Sequence, residues 1–370
     1  MKKFALTWRL LILLFTSVCL AQEKSPAENT IDWSRAQNLY QRSQRGEKLS
    51  AEDQVYLDRA KVIRSQGKGP SGNRPGVSQR QAPAQMIPLS DMSAQDRYEG
   101  QDGGLYGGGR NTPDDKLRTI AEAQLAKIQK LDADGRPAAD GKIAFISISM
   151  SNATQEFSRF KQIADQSAEK SAALTIVDCA QGGQAMAEWV PADGNPWKVA
   201  MQRLQQAVIS PKQVQVAWVK LANKVPSGTF ADHGKKLESD TIQVLKNARN
   251  KFPNLQIAYL GSRIWAGHAK GVLNPEPYAY ESGFVARELI QRQSSGDASL
   301  GLEAAPLLLW GPYLWAEGAK GRKLDSLIWE PGDFESDGVH PSPSGRDKVA
   351  QLLLKFVTTD PLAKPWFVKK

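Results

Sequence analysis

Histidine and cysteine are the scarce residues of this chain, three of the first and two of the second in 370. One cysteine, Cys19, lies in an apolar leader, so Cys179 has no intramolecular partner once that leader is removed, and no disulfide framework is expected. His233, in "FADHGKK", and His268, in "WAGHAKG", have no ligand at metal-binding spacing, so no metal site and no cofactor is expected. His233 suits a capping turn ahead of a helix, and His268 suits a loop beside a cleft. "DADG" at 132 to 135 lacks the downstream glutamate of a calcium loop and reads as a turn. The glycine-dense "GQDGGLYGGGRN" at 100 to 111 has no Lys-Ser/Thr pair after it and no βαβ unit before it, which excludes a P-loop and leaves a tight loop of positive φ. Lys and Arg do not cluster with aromatics, so no nucleic-acid partner is expected.

Long apolar runs are also missing, with one exception at the start. "MKKFALTWRLLILLFTSVCLAQ" has a basic beginning, a short apolar stretch and a small-residue exit at Ala21. It reads as a signal peptide over residues 1 to 21, which makes the mature protein secreted or periplasmic with no transmembrane segment. A lipoprotein anchor at Cys19 is the rival reading, but Val18 stands where such a signal has a small side chain. Removing Lys2, Lys3 and Arg9 takes the formal charge from +9 to +6.

Residues 32 to 65 predict a helical hairpin: Trp33, Ala36, Leu39 and Tyr40 recur at helical spacing, Gly46 suits a C-cap, and Ser50 with Asp53 starts a second helix. Residues 66 to 88 are rich in Gly, Pro, Gln and basic residues without apolar periodicity and read as a disordered linker. Residues 89 to 370 read as one globular domain. "DDKLRTIAEAQLAKIQKL" opens it with an amphipathic helix started by Thr112 and Pro113.

A regular alternation follows. Apolar, β-branched runs appear at 142 to 148, 173 to 178, 214 to 219, 255 to 261 and 306 to 311, and helical patterns at about 153 to 166, 195 to 208, 234 to 251, 279 to 293 and 343 to 358. Strands apolar on both faces, in strict turn with helices, predict an α/β fold: a three-layer, flavodoxin-like parallel sheet with helices on both faces. Ligands of such sheets bind at the carboxyl ends of the strands.

The polar residues after these strands form a recognisable set. Ser151 follows the first strand, Gly182 and Gly183 the second, and Lys220 and Asn223 the third, while "DGVH" supplies Asp337 and His340 before the last helix. A hydroxyl nucleophile needs a base, and the base needs a group that fixes its tautomer. Ser151, His340 and Asp337 fit those three roles. Backbone N–H groups of Ser151 and Gly183, with the Asn223 amide, fit an oxyanion site, and Lys220 competes with Asn223 for the last place. Each has a plainer alternative: Ser151 as a helix cap, Gly183 as a turn, His340 and Asp337 as loop supports. Trp265, Trp310 and Tyr313 fall on the expected rim as candidate substrate-binding residues, with core or lid as the alternative.

In order, "SMS", "GGQ", "KLAN" and "DGVH" resemble the four blocks of the SGNH (GDSL-like) hydrolase superfamily over residues 140 to 358. Ser149 and Met150 stand where that family has Gly and Asp, and Ala222-Asn223 departs from its Gly-x-Asn-Asp. The resemblance implies a serine esterase acting on a small ester or an acylated carbohydrate, the latter suggested by secretion and the rim aromatics. The alternative is a catalytically silent binding protein of the cell envelope with the same fold.

Overall fold

The computed structural model describes residues 31–44, 49–65 and 80–369. The leader, Gly46 and most of the expected linker lie outside the described residues. The described residues form two compact units.

The first is the hairpin. Helix α1 (Trp33–Gln44) starts where Asp32 Oδ1 accepts the Ser34 N–H at 2.9 Å, and α2 (Ala51–Ser65) starts where Ser50 Oγ accepts the Asp53 N–H at 3.1 Å. Such caps satisfy N–H groups that have no intrahelical partner. Ala36, Leu39, Leu57 and Ala60 are buried in it, and Arg35 pairs with Asp53 at 3.0 Å across the two helices.

The second unit begins before residue 89. Residues 80 to 88, expected as linker, have a described place on it: Arg80 Nη1 lies 2.7 Å from the buried Glu281 carboxylate, and Met86 is 5% exposed. A buried carboxylate holds its charge only when paired, and Arg80 and the imidazole of His233 meet it there. His233 is thus a buried partner of Glu281 within a helix, not a capping residue. The glycine loop is tight: at Gly104, φ +85°, a Cβ would lie 2.3 Å from the Arg110 nitrogen.

Helix α3 (Asp115–Leu125) is capped by Asp114, whose Oδ1 accepts the Leu117 N–H at 2.8 Å, and is shorter than its pattern suggests. The "DADG" turn closes on Asp132 Oδ1, which accepts from Asp134 and Arg136 at 2.9 Å each. Strand β1 (Ile143–Ser149) leads into α4 (Ser151–Gln166). Then come β2 (Leu174–Val177), the one-turn α5 (Met186–Trp189), α6 (Asn195–Gln206) and β3 (Val214–Lys220). The second half holds α7 (Phe230–Lys251), β4 (Ile257–Leu260), α8 (Tyr278–Ser294), β5 (Leu307–Trp310), α9 (Pro343–Thr359) and the short α10 (Lys364–Phe367).

The five strands pair in parallel in the order β2-β1-β3-β4-β5. This is the flavodoxin-like order, with β1 and β3 flanking the switch point. β1, β3, β4 and β5 are buried at every residue, which is why they read as apolar runs without alternation. Helix α4 packs with α9, while α7 packs with α8 and α5. The right-handed rule for parallel crossovers assigns these two groups to opposite faces, because the chain moves one way from β1 to β2 and the other way thereafter. Phe157 of α4 stacks on Trp218 of β3 with ring centroids 5.7 Å apart, and both are buried.

Candidate active site

The strand ends are tied together before any functional side chain is placed. Ser147 Oγ in β1 accepts the N–H groups of Cys179 and Ala180 at 2.9 Å each and donates to Asp178 Oδ1 at 2.6 Å, so the chain leaving β2 is fastened to β1. The Gln181 N–H reaches the Ser149 carbonyl at 3.1 Å, and the Met186 N–H reaches the Ala222 carbonyl at 3.1 Å. These bonds set the Gly182-Gly183 loop between β1 and the exit of β3. Gly183 adopts φ +77°, a conformation that a β-branched residue resists. Its carbonyl accepts from Lys224 Nζ at 2.8 Å.

Ser151 is the first residue of α4, and the preceding Met150 is the cap, with no side-chain hydrogen bond. The hydroxyl therefore has a different partner: Ser151 Oγ lies 2.8 Å from His340 Nε2. His340 Nδ1 lies 2.6 Å from Asp337 Oδ2. The two turns meet because α4 and α9 pack side by side, and the next residue fixes them: Asn152 Nδ2 donates to the Val339 carbonyl at 2.9 Å. Gly338, φ +70°, lies so close to the chain that a Cβ there would fall 1.8 Å from the His268 carbonyl oxygen. The Lys270 N–H also holds the Asp337 carbonyl at 3.0 Å.

The carboxylate of Asp337 is held ionised. Partial burial opposes this, but the bond from His340 and those from the Val339 and His340 N–H groups to Oδ1, at 2.9 and 3.0 Å, outweigh it and draw its pKa down to about 2. With Asp337 a fixed acceptor, Nδ1 of His340 carries the proton and Nε2 is left to accept from Ser151.

Ser151 and His340 open on a cavity of about 210 Å³ lined also by Gly183, Asn223, Lys224, Arg263 and Asn274, with Leu273 and Val339 among its apolar walls. Three of the expected oxyanion donors, Ser151, Gly183 and Asn223, therefore share one chamber. Lys220 is absent from it. Its ammonium is fully buried beneath the site and paired with the buried Glu156, and desolvation pulls its pKa down to about 8. A cation so engaged is not offered to a ligand, which removes it as the rival of Asn223.

The rim aromatics do not behave as expected. Trp310 and Tyr313 border a different cavity, of about 580 Å³, beside β5, and both are buried. Trp310 Nε1 donates to the Leu105 carbonyl at 2.5 Å, and Tyr313 Oη accepts the Leu89 N–H at 3.1 Å. Their polar atoms anchor the 89 to 105 segment, so the substrate-binding assignment is corrected to a packing one. Trp265 does not line the Ser151 cavity either; it packs edge to face with the exposed His268 at 4.8 Å and with Phe334 at 6.1 Å, supporting the loop that carries Asp337.

The residues that sequence reasoning missed are Arg263 and Asn274. Arg263 is three residues past β4, a strand end like the others, but only the folded chain shows that it is 2% exposed and lines this cavity. Among the described residues no cluster of His, Cys, Asp or Glu could hold a metal ion. No described helix is long and apolar enough to cross a membrane.

No protein-family model matches the chain. No curated protein matches it either. Among solved structures, a "putative acylhydrolase" of Bacteroides fragilis NCTC 9343 is similar at 13% identity and a TM-score of 0.37, over 68% of this chain and all of that one. The periplasmic domain of a lipopolysaccharide acetyltransferase of Salmonella ser. Paratyphi A is similar at 12% identity and a TM-score of 0.34, over 66% of this chain and 96% of that one.

Proposed function

We propose that this chain is a serine esterase, a carboxylic ester hydrolase that acts through Ser151, His340 and Asp337. The observation that carries the reading is the unbroken hydrogen-bond chain from Ser151 Oγ through both ring nitrogens of His340 to Asp337. In the proposed reaction His340 Nε2 takes the Ser151 proton as Oγ adds to the ester carbonyl. The oxyanion is met by the N–H groups of Ser151 and Gly183 and by the Asn223 amide. The protonated imidazole, stabilised by Asp337, returns its proton to the departing alcohol and leaves an acyl-serine. Water, deprotonated by the same imidazole, then releases the acid and restores the serine. A small ester, such as an O-acetyl group on a carbohydrate, suits the cavity volume.

A silent binding protein is the second reading, favoured by Ser149 and Met150 in place of the Gly-Asp turn. Ser149 is buried with its hydroxyl on the Lys220 carbonyl, however, so that substitution is absorbed in the strand and leaves the triad distances intact. Hydrolysis of p-nitrophenyl acetate decides between them. Wild type should turn it over and Ser151→Ala should not; equal rates would remove the triad.

A further inference from the structure

A buried cation without a partner is costly, and the Ser151 cavity has one on its wall. Arg263 is 2% exposed, and its Nε and Nη1 are sealed from solvent with no hydrogen-bond partner. Burial pulls the guanidinium below its ordinary value, while the fields of Glu156, Glu276 and Asp337 oppose the shift. None of those carboxylates bonds to it. Glu156 holds Lys220 with Oε2 and leaves Oε1 without a partner. Glu276 accepts from Ala266 N at 2.8 Å, Trp315 Nε1 at 2.8 Å and Tyr280 N at 3.0 Å. Asp337 is occupied by His340 and the backbone of its own turn.

The cavity repeats this pattern on its other walls. Asn274, 6% exposed, gives its Nδ2 to the Asn223 carbonyl at 3.3 Å and leaves Oδ1 buried with no partner. Lys224 stands at the rim already engaged, by Glu188 Oε1 at 3.0 Å and the Gly183 carbonyl at 2.8 Å, and no carboxylate is among the lining residues. A chamber with one unpaired guanidinium, no lining anion and two unsatisfied polar side chains beside the Ser151 hydroxyl is complementary to an anion. A guanidinium matches a planar carboxylate with two parallel bonds, and a buried pair of that kind replaces the solvation that Arg263 has lost.

We infer that Arg263 is a specificity residue that receives a carboxylate of the substrate, with Asn274 Oδ1 accepting from a neighbouring hydroxyl, so that the preferred esters are acidic ones. This rests on the esterase reading for its kinetic test but not for its binding test. The carboxylate can belong to the acyl group or to the alcohol, and two ester pairs separate the sources. One pair is mono-p-nitrophenyl glutarate against p-nitrophenyl butyrate. The other is an O-acetylated methyl uronoside against its uronate methyl ester.

In one pair, wild type should favour the acid over its neutral counterpart by about tenfold or more in kcat/KM, the range expected of a charge-assisted pair. Arg263→Gln should collapse that ratio towards one by raising KM for the acid, and Arg263→Lys should restore part of it. Equal preference in both pairs by wild type, or an Arg263→Gln loss that falls equally on acid and neutral ester, overturns the inference. Binding is read without turnover or variant: glutarate should raise the melting temperature of the wild-type protein, while glutaramide, its uncharged isostere, should not. No difference between the two also overturns it. If Ser151→Ala matches wild type on p-nitrophenyl acetate while glutarate still discriminates, the esterase reading fails and the anion site stands.

Discussion

Two cavities of the larger unit have opposite characters. The one beside β5 is the larger, about 580 Å³ against about 210 Å³, and is the richer in aromatics. Yet the polar atoms of its Trp310 and Tyr313 are spent on the backbone of the 89 to 105 segment. The smaller cavity is lined by a hydroxyl on an imidazole, by a guanidinium whose Nε and Nη1 have no hydrogen-bond partner and by an amide oxygen that has none. Volume and aromatic walls mark where packing left room. On the proposed reading, groups kept ready for a ligand mark where chemistry is done, because each costs stability until something binds.

The comparison can be broken most forcefully at Asp337. Asp337→Asn should lower kcat by about three to four orders of magnitude, since the amide favours the wrong imidazole tautomer. The melting temperature of the same preparation should stay near that of wild type. A destabilised variant with undiminished turnover would make Asp337 a loop support and the two cavities alike.

The large cavity should respond in the opposite sense. Trp310→Ala removes a side chain that is 5% exposed together with its bond to Leu105, and should cost about 3–5 kcal/mol in chemical denaturation. The turnover per folded molecule should hold. A Trp310→Ala protein of normal stability and poor turnover would return that residue to the substrate.

A smaller effect sharpens the picture of the buried charges around Arg263. Burial pushes the Glu276 carboxyl up from 4.5 to about 7, against the pull of its three N–H donors and Arg263. Its folded pKa is raised, so the unfolded chain releases this proton first. The contribution is fully present below about pH 4.5 and is lost as the pH rises towards 7, with a slope on the order of 1.4 kcal/mol per pH unit at most. Denaturation across pH 4.5 to 7.5 should show this decline in wild type and a flatter curve in Glu276→Gln. Parallel curves would show Glu276 to be ionised throughout.

The contrast also explains what was legible beforehand. The strands could be read because burial on both faces leaves apolar runs, and their alternation with helices implies the parallel order. Ser151, Asp337 and His340 could be read because each sits where backbone geometry, a strand end or a helix start, dictates the direction of its side chain. Trp310 and Tyr313 follow a strand just as Ser151 does, but a large side chain turns towards whatever it packs on, and that was the 89 to 105 segment, far away in sequence. Residues 80 to 88 looked like linker because their composition is polar; Arg80 is ordered by Glu281, some two hundred residues on. Arg263 had no local sign, since the absence of a partner belongs to the folded chain alone.

The central claim is that Ser151 is a nucleophile activated through His340, and one measurement reaches it without knowledge of the substrate. A fluorophosphonate should add once to the protein, and mass spectrometry of the digest should find the adduct on Ser151. The same reagent should leave His340→Ala largely unmodified at equal concentration and time. An unmodified wild-type Ser151, or a His340→Ala protein labelled as fast as wild type, would contradict the account.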